Sequence, residues 1–242
     1  SMDHPMLIHL NTHSAYSLLR GLPLPAELAQ AAHNASMPAL ALTDFRTLTG
    51  AVEFARACHD LEVRPILGLD IETAAGKLTL LAADDAGWSN LCRLSSAAAL
   101  AAPENPRCSL EQLNACAHGL VAIASAETQL EALKEIYAGA LYLGLSDPSH
   151  GVELSRRAAQ LSLPIVAHWP IYFLPPDQAS LQRTLASIRT LQPLAKLPAQ
   201  ACAPVDAFFA SEAEMEKRYQ HFPKALENTL AVAERCQFEL PL

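Results

Sequence analysis

A few polar side chains in this chain could bind a metal ion, because each follows directly after a short apolar run. His13 and Asp70 form the clearest pair of ligands for a divalent cation that activates water. Asp44 and His168 stand in equivalent places and could add to that pair. A site with two bridged metals needs about four to six His, Asp or Glu ligands for each metal. The sequence therefore indicates a hydrolase-like site that has too few ligands.

These side chains must be positioned by the strands that precede them. The apolar runs that predict strands are residues 6–10, 39–43, 64–69, 78–82, 120–124, 141–145 and 164–167. Amphipathic patterns that predict helices lie at residues 25–35, 50–61, 85–99, 127–138 and 151–161. Continuous apolar strands are typical of a parallel sheet that is buried on both faces. About seven strands without a glycine-rich dinucleotide turn favour a (β/α)7 barrel, with an open doubly wound sheet as the alternative.

A barrel of this kind explains why the polar residues should meet. The loops at the carboxyl ends of parallel strands converge on one mouth, where reactive groups are placed. Asn11 and His13 follow the first predicted strand, Asp44 and Phe45 the second, and Asp70 the third. We expect these groups to share the mouth with residues that cannot ligate a cation, namely Phe45, Arg20 and Pro170.

The last part of the chain has a different character. Residues 177–191 predict a helix, and residues 193–207 are rich in Pro and Ala and predict an extended connector. Ser211 and Glu214 form a capping box for a helix that reaches about Tyr219. Residues 223–235 predict a final amphipathic helix. We therefore expect a barrel over residues 1–175 and a helical extension over residues 176–242.

Composition and charge exclude several classes of protein. Apolar residues make up 51% of the 242 residues, which supplies a large core and argues against disorder. The formal net charge is -8, whereas a surface that grips phosphates is normally basic, so DNA contact is expected to be indirect. The six cysteines form no CxxC pair, and no signal peptide or membrane span is evident. These features are typical of a cytoplasmic protein with reduced thiols.

Several motifs resemble one family in the same order along the chain. Residues 8–21, IHLNTHSAYSLLRG, resemble the HLHVHSxYSLLDG opening of the polymerase-and-histidinol-phosphatase (PHP) domain in bacterial DNA polymerase III alpha subunits. Residues 37–44, MPALALTD, resemble GMPALALTDH, and residues 65–70, PILGLD, resemble PIIGxE. Near the end, PKALENT and AERC match the family pattern PEALxNTxxIAERC. The resemblance implies a distorted, TIM-like (β/α)7 barrel.

The resemblance also implies that most of the family's metal ligands are replaced. Asn11 stands in place of a histidine, Arg20 in place of an aspartate and Phe45 in place of a histidine. Other ligand positions hold residues that are not His, Cys, Asp or Glu, namely Ala126, Pro170 and Tyr172. The residues that still match a ligand position are His13, Asp44 and, shortened from glutamate, Asp70. An arginine where a metal would lie opposes metal binding electrostatically.

Two functional hypotheses follow from the resemblance. The first is a catalytically silent PHP domain without a cofactor, which scaffolds the rest of a polymerase alpha subunit and docks a proofreading exonuclease. The second is a metal-dependent phosphoesterase or 3′–5′ exonuclease that keeps one zinc or manganese ion on His13, Asp70, Asp44 and His168. Arg20 also occurs in the error-prone branch of the family, so the replicative and translesion branches both stay open.

Structural roles compete with each catalytic interpretation. His13 could be a hydrogen-bonded histidine in the barrel mouth rather than a metal ligand. Asp44 could cap its own loop or pair with Arg20 or Arg46, and Asp70 is expected to form an ion pair with Arg20. His168 could belong to a packed corner with its neighbour Trp169.

Overall fold

The structure, a computed structural model, describes residues 7–101 and 107–242. Six strands form one curled sheet, and their order in the sheet follows the chain. The strands are β1 (Ala39–Leu42), β2 (Arg64–Thr73), β3 (Gly76–Ala82), β4 (Leu120–Ala124), β5 (Leu141–Leu145) and β6 (Ile165–Ala167). Every residue of β1, β4 and β5 is buried, as expected for strands covered on both faces.

Helices cover the outside of this sheet. They are α1 (Pro25–Asn34), α2 (Ala51–Asp60), α3 (Asp85–Leu100), α4 (Leu110–Ala115), α5 (Leu130–Ile136), α6 (Gly151–Leu161), α7 (Ala179–Thr190), α8 (Glu212–Arg218) and α9 (Pro223–Arg235). Within the described ranges, none of these helices combines the length and the apolar composition that crossing a bilayer requires. The α/β class and the barrel-like architecture are therefore as the sequence predicts.

The sheet is not parallel throughout, and that expectation was wrong for one strand. β3 pairs antiparallel with β2 and with β4, whereas the other neighbouring strands are parallel. Thr73 and Gly76 face each other across a tight turn, and Gly76 has a φ of +117° that favours glycine. A connection this short can join only antiparallel strands, because a parallel pair needs a crossover of about a dozen residues.

The predicted first strand, residues 6–10, is an extended segment rather than part of the ladder; Met6 lies outside the described residues. His9 and Thr12 accept backbone hydrogen bonds from Ala41 and Thr43, next to β1. On the other side, His13 N donates to Ile171 O, just after β6. The segment therefore fills the gap between the two ends of the curled sheet and completes a distorted barrel.

The C-terminal helix closes the amino-terminal end of the barrel. Asn228 Nδ2 donates to Ile165 O over 2.6 Å, and Ile8 N donates to Thr229 Oγ1 over 2.9 Å. Arg64, the first residue of β2, donates to the carbonyls of Ala233 (2.9 Å) and Cys236 (2.5 Å) at the end of α9. Ala233 O also accepts from Cys236 N over 3.1 Å, and the guanidinium adds a charged donor to both carbonyls at the negative end of the helix dipole.

Replacing Arg64 by Lys should lower the free energy of unfolding by about 1–2 kcal/mol, because an ammonium cannot bridge both carbonyls in the same planar geometry. Urea unfolding followed by circular dichroism measures the change. Arg56 on α2 is exposed and serves as the control, since R56K should leave the stability unchanged. An R64K protein as stable as the wild type would show that the bridge to α9 contributes nothing.

Candidate functional site at the carboxyl ends of the strands

His13 is the centre of the site, and both nitrogens of its buried ring are hydrogen-bonded. Nε2 lies 2.7 Å from Asp70 Oδ2, and Nδ1 lies 3.3 Å from Ile171 O. The ring also stacks on Tyr172, with centroids 4.2 Å apart and planes inclined by 6°. Because a carboxylate accepts, Nε2 donates to Asp70 and has no lone pair free for a metal ion in this arrangement.

Asp70 is held from two sides. Thr79 Oγ1 donates to its Oδ1 over 2.5 Å, from the residue that faces Asp70 across the β2–β3 pair. The Asp70 side chain is 21% exposed, and its Oδ2 faces His13 Nε2. The predicted ion pair between Asp70 and Arg20 was wrong, since no carboxylate of the described residues lies within 4 Å of the Arg20 guanidinium.

Arg20 stacks on an aromatic ring instead. Its guanidinium carbon lies 4.0 Å from the centroid of the Phe45 ring, and that of Arg46 lies 6.0 Å away. Burial lowers the pKa of Arg20, and the nearby charge of Arg189 lowers it further. A guanidinium stays protonated despite such shifts, so a cation and an apolar ring occupy this part of the mouth.

Asp44 is hydrogen-bonded to a different group of residues from His13. Its carboxylate accepts from Ser14 N (2.7 Å), Ser14 Oγ (2.6 Å) and Ser17 Oγ (2.6 Å), and the residue is 1% exposed. A Cβ on Gly21 would lie 2.2 Å from Ser14 O, so the loop closes too tightly for a side chain there. Of the alternatives for Asp44, the structure has the one in which it caps a loop, but this is the loop that contains Ser14 and Ser17 rather than its own.

His168 and Asn11 carry buried polar atoms that lack a hydrogen-bond partner among the described residues. These atoms are Nε2 of His168 and Oδ1 of Asn11, whose Nδ2 donates to His168 O over 3.3 Å. Burial lowers the pKa of His168 to about 4, while the Asp70 charge raises it and His13 lowers it. Next to it, the Trp169 indole lies under the Arg218 guanidinium at 3.9 Å, which is the packed corner considered above.

A cavity of about 180 Å³ brings several of these residues together. Its lining includes Asn11, Arg20, Phe45, Asp70, His168 and Tyr172. His13 stacks on Tyr172, and the buried Asp44 is bonded to Ser14 and Ser17. No group of three or more His, Cys, Asp or Glu side chains in residues 7–101 and 107–242 is arranged to hold a metal ion. The donors at the mouth therefore do not fit a divalent metal of four or more ligands.

Sequence reasoning missed one residue of the site, Thr79, which orients Asp70. Thr79 had a detectable signal, because it is a polar residue within a continuous apolar strand. Tyr172 was named as the residue at a ligand position of the family, but its stacking on His13 was not predicted, since this contact depends on the path of the chain after β6.

Comparison with known proteins identifies the family of this chain. A family model described as the PHP domain matches residues 9–146. The error-prone DNA polymerase of Symbiobacterium thermophilum is 30% identical over 97% of this chain, and the DNA polymerase III subunit alpha of Bacillus subtilis is 27% identical over 97%. The chain spans about a quarter of the length of these curated relatives (25% and 23%).

A solved structure shares the fold. An amidohydrolase from Chromobacterium violaceum superposes with a TM-score of 0.51 at 16% identity, covering 68% of this chain and 87% of that one. The curled sheet, the mouth at its carboxyl ends and the family match over more than half of the sequence agree with one another. This chain belongs to the PHP domain family.

Proposed function

We propose that the chain is the PHP domain of a bacterial DNA polymerase III alpha-type subunit, active in replication or translesion synthesis, and that the domain itself is catalytically silent. In this proposal the domain is cytoplasmic, scaffolds the rest of the polymerase and docks a proofreading exonuclease subunit. The observation that carries it is the hydrogen bond between His13 and Asp70, which ties the two clearest metal ligands to each other.

The surroundings of that pair support the same proposal. Arg20 lies over Phe45 at the mouth, so a fixed positive charge stands where a divalent cation would be attracted to carboxylates. Both oxygens of the Asp44 carboxylate are engaged, because Ser14 and Ser17 donate three hydrogen bonds to them. A barrel keeps its stability when its mouth changes, since the core and the site are separate sets of residues.

Metal content tests whether the domain is silent. Purified protein that is incubated with zinc or manganese and then desalted should retain substoichiometric metal and should not hydrolyse bis(4-nitrophenyl) phosphate. Mass spectrometry of the bound metal and release of nitrophenolate are the measurements. One equivalent of tightly bound metal together with turnover that H13A abolishes would instead support a phosphoesterase or 3′–5′ exonuclease.

A variant of the same chain provides the positive control for this assay. The changes N11H, R20D, F45H and D70E introduce the side chains that the family resemblance implies at these positions. We expect this variant to bind more metal than the wild type, since carboxylates and imidazoles replace a guanidinium and a phenyl ring. If the wild type binds as much metal as the variant, the proposal of a silent site is wrong.

The gene tests the polymerase context. A polymerase catalytic domain with paired aspartates, encoded in the same reading frame, is the expected finding. A stop codon directly after this domain would contradict the proposed role within an alpha subunit.

A further inference from the structure

One surface of the molecule differs in charge from the rest. We call it the α7 face, defined as α7 and the connector that follows it, residues 178–205. It contains three basic residues, Arg183, Arg189 and Lys196, and no Asp or Glu, with Asp177 and Asp206 just outside its two ends, whereas the whole chain has 25 acidic and 17 basic residues. The α7 face is therefore locally positive on a protein whose net charge is -8.

The α7 face also exposes large apolar side chains. Leu181 and Ile188 are 50% and 54% exposed, and their spacing of seven residues places them on one side of the helix. Leu191, the residue that caps the end of α7, is 91% exposed. Leu194 (46%) and Val205 (80%) extend this apolar surface along the connector. The opposite side of α7 is buried through Gln182 and Ala186. Contiguous exposed apolar surface of this kind marks interaction sites on folded domains.

Hydrogen bonds hold the α7 face in a fixed shape. Gln182 Nε2 donates to Arg20 O over 3.3 Å, and its Oε1 accepts from Ala203 N over 3.1 Å. Arg183 donates to Leu194 O over 3.1 Å, which folds the connector back onto the helix. Arg189 donates to Leu19 O over 3.1 Å and to the carbonyl of Ala201. The apolar stripe is thus presented on a preformed support, so little conformational entropy is lost when it binds.

The positive charges of this face are not neutralised locally. Arg183 and Arg189 use their N–H groups on backbone carbonyls, and no carboxylate of the described residues lies within 4 Å of Arg183, Arg189 or Lys196. The charge of Arg189 lowers the pKa of Arg20 at the mouth, so the basic region lies next to the barrel opening. A binding partner that supplies carboxylates would be attracted to this region and repelled by most of the remaining surface.

From these observations we infer that the α7 face is a docking site for a segment of a second protein that is both acidic and apolar. Its apolar side chains would cover Leu181, Ile188 and Leu191, and its Asp or Glu residues would lie near Arg183 and Lys196. This inference rests on the docking role proposed above and names the surface that performs it. A nucleic acid fits less well, because the exposed side chains are aliphatic and offer no aromatic platform for bases.

A labelled peptide tests the inference directly. The probe is a synthetic amphipathic peptide with leucines on one helical face and glutamates on the other, and its binding is measured by fluorescence anisotropy. Matched peptides carry glutamine or lysine in place of glutamate. We expect the glutamate peptide to bind about tenfold more tightly than either matched peptide, with an affinity that falls as salt is added.

Variants locate the binding surface. I188S should weaken binding of the glutamate peptide about tenfold. R183Q/K196Q should remove most of the difference in affinity between the glutamate and glutamine peptides. The control for the first change is V152S, since Val152 on α6 is 78% exposed and lies outside the α7 face. R56Q is the control for the charge change. Circular dichroism confirms that each variant is folded.

Several outcomes would overturn the inference. These are no peptide binding, equal binding of the three peptides, and equal weakening by I188S and V152S. Tight binding of oligothymidylate that is lost in R183Q/K196Q and unchanged in I188S would indicate that the face binds nucleic acid instead. Self-association that I188S abolishes in sedimentation experiments would show that a second copy of this chain occupies the face.

Binding of a proofreading exonuclease subunit to the wild type and to I188S tests this inference separately from the broader proposal. If that subunit binds the wild type and I188S equally well, the α7 face is not the docking site while the docking role stands. If it binds neither, and the peptide also fails to bind, both are wrong.

Discussion

Replacing Asp44 by Ala is expected to lower the free energy of unfolding by about 3–5 kcal/mol, although the residue lies at the mouth of the barrel. The carboxylate accepts three hydrogen bonds, two of them from Ser14 and one from Ser17, and it is 1% exposed. Alanine leaves these donors without an acceptor in a site that water does not reach. Each unsatisfied buried donor costs about 1–3 kcal/mol.

The size of this effect separates a structural role from a catalytic one. D44N should cost less, about 1–2 kcal/mol, because the amide oxygen still accepts two of the bonds but without charge assistance. D60A is the matched control, since Asp60 at the end of α2 is exposed and its removal should change stability by less than about 0.5 kcal/mol. Urea unfolding followed by circular dichroism measures all three variants. Wild-type stability in D44A would show that the loop does not depend on this carboxylate.

Acid should destabilise the protein strongly because of a second buried residue, His9. Its ring is buried, and Nε2 lies 2.8 Å from Ala210 O. The ring packs edge to face with Phe209, and the two ring centroids are 4.8 Å apart. Burial lowers the pKa of His9 from 6.5 to about 4; the bond to Ala210 raises it, and the Arg218 charge lowers it further. The folded protein therefore holds His9 neutral at a pH where the unfolded chain binds a proton.

Stability should fall as the pH drops from 6.5 to 4, because in this window the unfolded state binds more protons than the native state. From the two pKa values, protonation of His9 in the unfolded chain lowers the free energy of unfolding by about 2–3 kcal/mol between pH 7.5 and 4.5. His168, whose pKa is also lowered to about 4, adds to the slope. The measured quantity is therefore the difference between the wild type and H9Q.

H9Q keeps a donor that can reach Ala210 O but cannot titrate. We expect its unfolding free energy to decrease by about 2–3 kcal/mol less than that of the wild type over the same pH range. Urea unfolding at a series of pH values gives this comparison. Parallel curves for the two proteins would show that His9 is protonated in the native state as readily as in the unfolded chain.

Most secondary structure could be predicted because it follows from local patterns. The strands β4 and β5 and the helix α9 have the predicted bounds, since apolar runs and amphipathic periodicity are properties of adjacent residues. The capping box of Ser211 and Glu214 is confirmed by hydrogen bonds of 2.7 and 3.4 Å between these residues. The same kind of signal was overlooked at α4, where Ser109 and Gln112 form an equivalent box.

Strand direction was harder to predict than strand position. The run that became β3 is as apolar as its neighbours, so its composition indicates burial and not orientation. Orientation follows from the connection, and the turn between Thr73 and Gly76 is too short for a crossover. Residues 6–10 have the composition of a strand, yet their bond to β1 is the one from Ala41 N to His9 O. The bonds to Thr43 and Ile171 come from the next residues, Thr12 and His13.

The sequence by itself determined which residue types stand at the mouth, and so the shortage of His and carboxylate donors and the presence of Arg20 and Phe45. Only the tertiary structure decided the pairing: Asp70 with His13, Arg20 on Phe45, and Asp44 with Ser14 of an earlier loop. The reason is geometric. His13 and Asp70 are 57 residues apart, so their 2.7 Å contact depends on how separate loops pack over the sheet, and no local pattern encodes that distance.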